Sequence, residues 1–220
     1  MFRQYRKIES NEFLVVGGDT AAGGADYCTA QFLSVDKLDV PLVYHSKTLA
    51  TTMTNELYPV LETLYDTTGL PPMVAYERSN GGLFEMERLA ALNRLGKFDV
   101  FQMPTYGNVQ TEETKRLGWD TNTATRPKML ADLKEAIDKQ LITGLYDRRT
   151  IEELFAFVVV KTSSSWKAQA ESGAHDDLVM ALAIAWQLYQ LAERPQLPAS
   201  LTPPAWYKPE KSFVAGRRGA

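Results

Sequence analysis

Cysteine and histidine are scarce in this chain, which has one cysteine and two histidines among 220 residues. A single cysteine excludes an internal disulfide and a cysteine-rich metal site. We therefore expect Cys28 to be a small buried residue on a strand, since free cysteine behaves as a small hydrophobe. The composition suits a reducing, intracellular setting.

Long apolar runs are also lacking. No stretch of 18 or more apolar residues occurs, and no leader combines a basic start with an apolar centre, so neither a membrane span nor export is expected. The formal net charge of −3 argues against a protein that coats nucleic acid with its whole surface. It leaves room for DNA binding through one local basic patch. We find no internal repeat.

The first third of the chain predicts an antiparallel meander. The apolar run Phe13–Val16 is typical of a strand buried on both faces, and it leads through two glycines to Asp19. Two further segments rich in β-forming residues follow through short turns, Tyr27–Val35 and Val40–His45.

The next segments alternate between helix and strand. The apolar spacing predicts helices over Thr51–Tyr65 and Leu83–Leu95 and strands over Met73–Tyr76 and Phe98–Gln102. Pro59 should kink the first helix or mark its true start. Such alternation is typical of parallel strands joined by crossover helices. The predicted fold class is therefore α/β, a mixed central sheet of an antiparallel meander plus parallel strands, flanked by helices.

The remaining segments set the predicted domain limits. We expect a long excursion over Pro104–Thr123, a helix capped by Thr125, and a capping box over Thr150–Glu153. A last strand over Phe155–Val160, a polar loop over Lys161–His175 and a helix over Asp176–Ala192 follow; the helix is apolar almost all round and should be buried. Residues 1–12 are expected to be a structureless basic linker remnant, 13–194 the folded domain, and 195–220 a proline-rich disordered tail.

Acidic residues stand at the ends of the predicted elements. Asp19 and Glu77 each end an apolar strand, and the pair Asp176 and Asp177 begins the buried helix. Sites in open sheets form beyond strand ends, so Asp19 and Glu77 should lie side by side if their strands are neighbours. Taken singly, Asp19 and Glu77 could be surface residues, and Asp176 could be a helix cap.

Taken together, these acids indicate a metal site. Clustered carboxylates repel one another unless cations neutralise them, and oxygen ligands favour hard ions such as Mg²⁺ or Mn²⁺. Two such ions about 4 Å apart can activate a water and stabilise the leaving oxygen in phosphodiester cleavage. The sequence therefore predicts Mg²⁺ or Mn²⁺, as two ions, at a catalytic site of Asp19, Glu77, Asp176 and Asp177. Which of the two adjacent acids Asp176 and Asp177 points inward stays open, because successive side chains of a helix diverge by about 100°.

Several motifs carry a resemblance to a known family. In chain order they are residues 16–26 (VGGDTAAGGAD), 74–82 (VAYERSNGG), 118–119 (GW), 125–128 (TRPK) and 173–182 (GAHDDLVMAL). This succession resembles the nuclease domain of the large terminase subunit of tailed bacteriophages and spans most of the chain. The last motif, an His-Asp-Asp triplet before an apolar helix, is the most specific.

The resemblance implies a ribonuclease H-like fold and a metal-dependent endonuclease that cuts concatemeric phage DNA during genome packaging. It implies Asp19, Glu77 and Asp177 as metal ligands and Asp176 as a ligand or helper. The implied partners are double-stranded DNA, an ATPase motor domain of the same full-length subunit, the small terminase subunit and the portal, in the host cell cytoplasm and with no membrane. No Gly-x-x-x-x-Gly-Lys-Ser/Thr phosphate loop occurs here, so we expect the isolated nuclease domain without ATP hydrolysis.

Basic residues and histidines near these motifs are secondary candidates. His175 and Lys161 are candidate helpers. His175 could orient a carboxylate or contact the scissile phosphate, although a histidine before a helix is as often a cap. Lys161 could neutralise phosphate, although an ordinary solvated lysine is the better explanation. The candidate contacts to the DNA backbone are Arg78, Arg126, Lys128 and Lys167. His45 is expected to be structural.

Three alternatives remain open. The first is another ribonuclease H-like enzyme, such as a resolvase, an exonuclease or a strand transferase. The second is a sugar-kinase-like or actin-like nucleotide binder, whose phosphate loops should recur in a second half that this chain does not show. The third is a non-enzymatic module that docks to DNA or to the portal.

Overall fold

The computed structural model describes residues 1–21, 23, 26–105, 114–161, 166–170 and 175–195. The helices in these residues are α1 (Ala50–Thr68), α2 (Gly82–Leu92), α3 (Thr125–Asp138), α4 (Arg148–Ala156) and α5 (Asp177–Leu191). The strands are β1 (Phe2–Gln4), β2 (Leu14–Asp19), β3 (Cys28–Ser34), β4 (Asp39–Val40), β5 (Leu42–Ser46), β6 (Met73–Tyr76), β7 (Asp99–Val100), β8 (Gln102–Thr105), β9 (Thr114–Leu117), β10 (Gly144–Leu145), β11 (Phe157–Lys161) and β12 (Trp166–Ala170).

The main sheet has six strands in the order β1-β5-β3-β2-β6-β7. Strands β2, β3 and β5 form the predicted antiparallel meander, and β6 and β7 extend it in parallel from β2. The predicted fold class, a mixed α/β sheet flanked by helices, is therefore confirmed. Strand β2 lies inside the sheet, and all six of its residues are buried, as its apolar sequence predicted.

Alternate residues of the central strands enter two separate cores. Val15 and Ala75 face the core built by α3 and α5, whereas Val16 and Val74 face the core built by α1 and α2. This alternation follows from the two-residue period of a strand. Helix α5 is buried from Leu178 to Leu188, which confirms that it is covered on nearly all sides. Cys28 is a free buried thiol on β3, as predicted.

The prediction of a structureless start is wrong at Phe2–Gln4, which forms the edge strand β1 on β5. Its basic neighbour Arg6 is engaged in the fold, because it binds Asp39 at 2.6 Å and Glu12 at 3.1 Å. The basic residues had indicated a solvated linker, but a buried pair of acids supplies their partners. The predicted tail is outside the described residues from 196 onwards.

Two predicted helix starts are wrong in detail. Asn122 rather than Thr125 caps α3, since its Oδ1 accepts the amides of Ala124 and Thr125 at 2.9 and 3.0 Å. Asp147 rather than Thr150 caps α4, accepting the amide of Arg149 at 2.8 Å. Each true cap lies three residues before the predicted one, so a competing polar residue upstream provided the acceptor. Helix α1 begins at Ala50 and continues through Pro59, so this proline does not mark its start.

Two hairpins extend into segments that were predicted as loops. Strand β8 runs from Gln102 into the predicted excursion Pro104–Thr123 and pairs with β9 inside it; residues 106–113 lie outside the described part. Strand β11 corresponds to the predicted last strand Phe155–Val160, although Phe155 itself lies in the last turn of α4. Its partner β12 lies within the predicted polar loop Lys161–His175. Strands β9 (TKRL) and β12 (WKAQA) have no apolar run, so the signal on which strand prediction depends is missing there. No helix in the described ranges is long and apolar enough to cross a membrane.

Candidate active site

Asp19 and Glu77 lie side by side at the carboxyl ends of two neighbouring parallel strands. The register of β2 and β6 pairs Gly18 with Tyr76, and each acid is the next residue along its strand. The amide of Glu77 donates to the carbonyl oxygen of Gly18 at 2.8 Å, which extends the ladder to the acid itself. The predicted adjacency of these strand ends is confirmed.

Asp19 is strongly perturbed by this position. Its relative exposure is 8%, and burial raises its pKa well above the usual range. The carboxyl group of Glu77 raises the pKa of Asp19 further, through its charge and through a shared hydrogen bond, and Asp177 and Asp176 add to the effect. A proton or a cation between these carboxyl groups would relieve the repulsion.

A tight turn after Glu77 closes one wall. Asn80 and Gly81 adopt left-handed conformations with φ of 51° and 88°, which turn the chain back into α2. A side chain at Gly82 would overlap the carbonyl oxygen of Glu77, so only glycine fits there. Thr20 donates to the carbonyl oxygen of Ser79 at 3.1 Å and holds the turn against the end of β2.

The start of α5 supplies the other two acids, and they differ. The Asp177 side chain is 13% exposed, and its Oδ2 accepts the amide of Tyr27 at 3.1 Å. Burial raises the pKa of Asp177, although the bond from Tyr27 opposes this. The Asp176 side chain is 31% exposed, and its Oδ2 accepts from Arg126 at 3.0 Å.

These residues line one cleft of about 290 Å³. All four predicted acids face it, and Arg126 and His175 face it as well. The sequence thus predicted most of this wall. The remaining lining residues are Thr20, Asp26, Ser79, Asn80 and Met180.

The cleft offers a hard, oxygen-rich donor set with five carboxylates, those of Asp19, Asp26, Glu77, Asp176 and Asp177. Such donors fit Mg²⁺ or Mn²⁺. Within the described residues, however, no three His, Cys, Asp or Glu side chains stand close enough around one point to hold an ion. Two of the acids are turned to protein donors, Asp176 to Arg126 and Asp177 to Tyr27. The ligand assignment therefore stays a prediction.

Both histidines contact the ring of Tyr27. The His175 ring meets Tyr27 edge-on at 5.3 Å between centroids, and its Nδ1 lies 3.6 Å from Asp177 Oδ2. His45 stacks on Tyr27 at 4.2 Å, and burial lowers its pKa to about 4. His45 does not line the cleft. His175 is thus placed to act on Asp177.

Of the predicted backbone contacts, the structure brings Arg126 into the cleft but leaves Arg78 and Lys128 outside its wall. Arg78 is mostly buried and lies 3.9 Å from Asp120. Lys128 pairs with Asp132 along α3. The side chains of Lys161 and Lys167 lie outside the described part of the chain; their backbones are in β11 and β12.

Asp26 is the acid that sequence reasoning missed in the cleft wall. It is exposed and follows the glycine-rich stretch after β2, so neither an apolar run nor a helix start preceded it. The available signal was its place in the 16–26 motif. Ser79 and Asn80 were likewise visible as polar residues in the turn after Glu77.

No protein-family model matches this chain, and no curated protein matches it. Solved structures do share its fold. The large terminase nuclease from thermophilic phage G20c with bound cobalt has a TM-score of 0.61 and 19% identity, covering 84% of both chains. The same nuclease with bound magnesium has a TM-score of 0.58 and 17% identity, and the match covers 84% of both chains. The large terminase nuclease domain of Thermus phage P74-26 has a TM-score of 0.56 and 18% identity. The match covers 88% of this chain and 87% of that one.

These similarities run through most of the described chain and include the mixed sheet with helices on both faces. At such low identity they establish the architecture. The chain has the ribonuclease H-like fold of large terminase nuclease domains.

Proposed function

We propose that this chain is a metal-dependent DNA endonuclease that cleaves concatemeric viral DNA during genome packaging. The observation that carries the proposal is the convergence of Asp19, Glu77 and the Asp176-Asp177 pair on one cleft. The acids come from three separate elements, β2, the end of β6 and the start of α5. Because buried carboxylates repel one another, such an arrangement indicates that a cation binds between them. Similar structures described as large terminase nucleases, with bound cobalt or magnesium, support the same reading.

In this proposal Asp19, Glu77, Asp176 and Asp177 would hold two Mg²⁺ or Mn²⁺ ions. When bound, such ions lower the pKa of a nucleophilic water and stabilise the charge on the leaving oxygen. Asp19 would hold the ions from the end of the central strand β2, because it is the most enclosed of the four acids. His175 would orient Asp177, and Arg126 would exchange Asp176 for a DNA phosphate.

The partners in this proposal are double-stranded DNA, an ATPase motor domain of the same subunit, the small terminase subunit and the portal, in the host cytoplasm. Arg126 is the best placed phosphate contact, because its guanidinium lies in the cleft. Arg78, Lys128, Lys161 and Lys167 remain candidates for DNA or substrate contacts outside the cleft wall. We expect no ATP turnover from this chain, since it has no phosphate loop.

A plasmid assay tests the proposal. With Mg²⁺ or Mn²⁺ the wild-type chain should nick and linearise supercoiled DNA. Asp19→Asn and Asp177→Asn should each slow cutting by about 100-fold or more, because a catalytic metal contributes several kcal/mol to the transition state. Asp138→Asn, an exposed carboxylate paired with Lys134 on α3, is the matched control and should cut normally.

Undiminished cutting by both site variants would contradict the site assignment. Digestion only from free ends would instead support an exonuclease. Absence of metal-dependent cutting by the wild type, with metal binding intact, would favour a docking module.

A further inference from the structure

The first turn of α5 carries two of the site acids but is not capped by its own residue. Asp176 occupies the N-cap position, yet its side chain makes no capping hydrogen bond. The amides of a first helical turn have no partner inside the helix, and a buried amide without one is costly. Another part of the chain must therefore supply an acceptor.

Glu153 of α4 supplies it. Its Oε2 accepts the amide of Leu178 at 2.8 Å and that of Val179 at 3.3 Å. The two amides favour a negative charge there, but burial outweighs them and raises the pKa of Glu153 to about 7; its carbonyl oxygen accepts in either form. Because Glu153 performs the capping, the Asp176 side chain is left to face the cleft and Arg126.

A second contact ties the same helices to the sheet. Thr150 lies three residues before Glu153, on the same side of α4. Gln31 of β3 donates to Thr150 Oγ1 at 2.8 Å and to the carbonyl oxygen of Leu178 at 3.3 Å. Both Gln31 and Thr150 are fully buried, so α4, β3 and α5 meet at one enclosed junction.

Asp177 is held from the strand side of this junction. Thr29 donates to its carbonyl oxygen at 2.8 Å, and the amide of Tyr27 donates to its Oδ2 at 3.1 Å. The position of the carboxylate thus depends on the first turn of α5 being fixed against both β3 and α4.

We propose that Glu153 is a positioning residue, which caps α5 from a neighbouring helix and thereby sets the Asp177 carboxylate in the cleft. Its consequence for metal binding rests on the function proposed above. The effect of Glu153 on the placement of Asp177 is independent of that function and can be measured without metal.

The experiment compares Glu153→Met, which keeps bulk but removes the acceptor, with Glu153→Gln, which keeps an acceptor oxygen. Glu152→Ala is the control, because Glu152 is an exposed neighbour paired with Arg148. The readout is amide hydrogen exchange by NMR at Leu178, Val179 and Tyr27, on the whole chain without metal. Glu153→Ala replaces the Met variant if the latter does not fold.

In Glu153→Met, exchange should speed up at Leu178 and Val179 and also, about fivefold, at Tyr27, because its bond to Asp177 weakens. Glu153→Gln should restore much of the protection at Tyr27. Mn²⁺ affinity, measured by calorimetry, should fall about tenfold in Glu153→Met and stay unchanged in Glu152→Ala.

Faster exchange at Leu178 and Val179 with unchanged Tyr27 would overturn the proposal, since Glu153 would then be a local cap alone. A wild-type chain that binds no Mn²⁺ would contradict the proposed function, while the Tyr27 result would still decide the role of Glu153.

Discussion

Asp147 is a buried acid whose partners lie outside the cleft. Its side chain is 1% exposed, it caps α4, and Arg149 Nε donates to its Oδ1 at 3.0 Å. Burial raises the pKa of Asp147, but hydrogen bonds from Arg149 and Tyr5 outweigh this effect and bring the pKa down to about 2. The ionised form is therefore strongly favoured by the folded state.

This predicts a specific loss of stability in acid. A carboxyl group whose folded pKa lies below its unfolded value stabilises the fold above the unfolded pKa, near 3.9, and loses that contribution as pH falls through about 2. The shift corresponds to about 2.5 kcal/mol. Urea unfolding of the wild type and Asp147→Asn at pH 6, 4 and 2 should show the difference in unfolding free energy shrinking across that window.

Asp138→Asn is the control for this series, because Asp138 is exposed on α3 and pairs along its own helix with Lys134. Its difference from the wild type should be small at each pH. A difference for Asp147→Asn that stays constant from pH 6 to pH 2 would contradict the assigned coupling.

At the scale of elements, the contact between β2 and α5 depends on Gly17. A side chain there would overlap the carbonyl oxygen of Ala181 and the amide nitrogen of Ala185, both in the helix backbone. At Gly18 a Cβ would instead lie 2.6 Å from a Tyr76 ring carbon and 3.1 Å from the Met53 methyl group. Side chains can rotate, whereas two helical backbone atoms cannot yield independently of the helix.

We therefore expect Gly17→Ala to cost more stability than Gly18→Ala. Overpacking costs about 1–3 kcal/mol in ordinary cores and more when backbone must move. Thermal and urea unfolding of the two variants should show this order. Equal losses, or a larger loss for Gly18→Ala, would show that α5 shifts more easily than the side chains around Tyr76.

The sequence predicted the elements whose burial is strong. Strands β2 and β6 and helix α5 are enclosed, so their apolar runs were a direct signal. The Thr150–Glu153 spacing shows where local reading fails, because the same threonine and glutamate serve a tertiary junction with Gln31 and α5 instead of their own helix start. Spacing along one helix cannot reveal which neighbour it will meet.

The site was predictable to a similar extent. Asp19 and Glu77 followed from strand ends, and Asp176 and Asp177 from a helix start. Glu153 was missed as a cap for α5 because its partner amides are distant in sequence. The hydrogen bond from Arg126 to Asp176 arises from the packing of α3 on α5. The motif at residues 125–128 predicted that Arg126 lies near the site, but not that it contacts Asp176.

For the whole molecule, the cleft concentrates charge that the total composition hides. The formal net charge is only −3, yet five carboxylates line one cleft with Arg126 and His175. Burial and the neighbouring Glu77, Asp177 and Asp176 all raise the pKa of Asp19, so its ionised form is disfavoured there. Maintaining this arrangement should lower the stability of the fold, as is common where function requires crowded charges.

Divalent metal should therefore stabilise the folded protein. A ligand at 100 times its dissociation constant contributes about 2.7 kcal/mol, which for a chain of this size raises the melting temperature by roughly 5–10 °C. Without metal, Asp19→Asn should unfold less readily than the wild type at pH 7 by about 1 kcal/mol, because one repelling carboxylate is gone. Added metal should raise the melting temperature of Asp19→Asn much less than that of the wild type.

The pH dependence separates this effect from better packing by the amide. A raised carboxyl pKa in the folded state means that stability falls as pH rises above the unfolded value near 3.9. The advantage of Asp19→Asn should thus be small at pH 4 and larger at pH 7, in thermal unfolding with and without Mn²⁺. If the stability gain of Asp19→Asn did not depend on pH, better packing of the amide would be its cause. If Mn²⁺ raised the melting temperatures of Asp138→Asn and Asp19→Asn equally, the bound ion would lie away from Asp19.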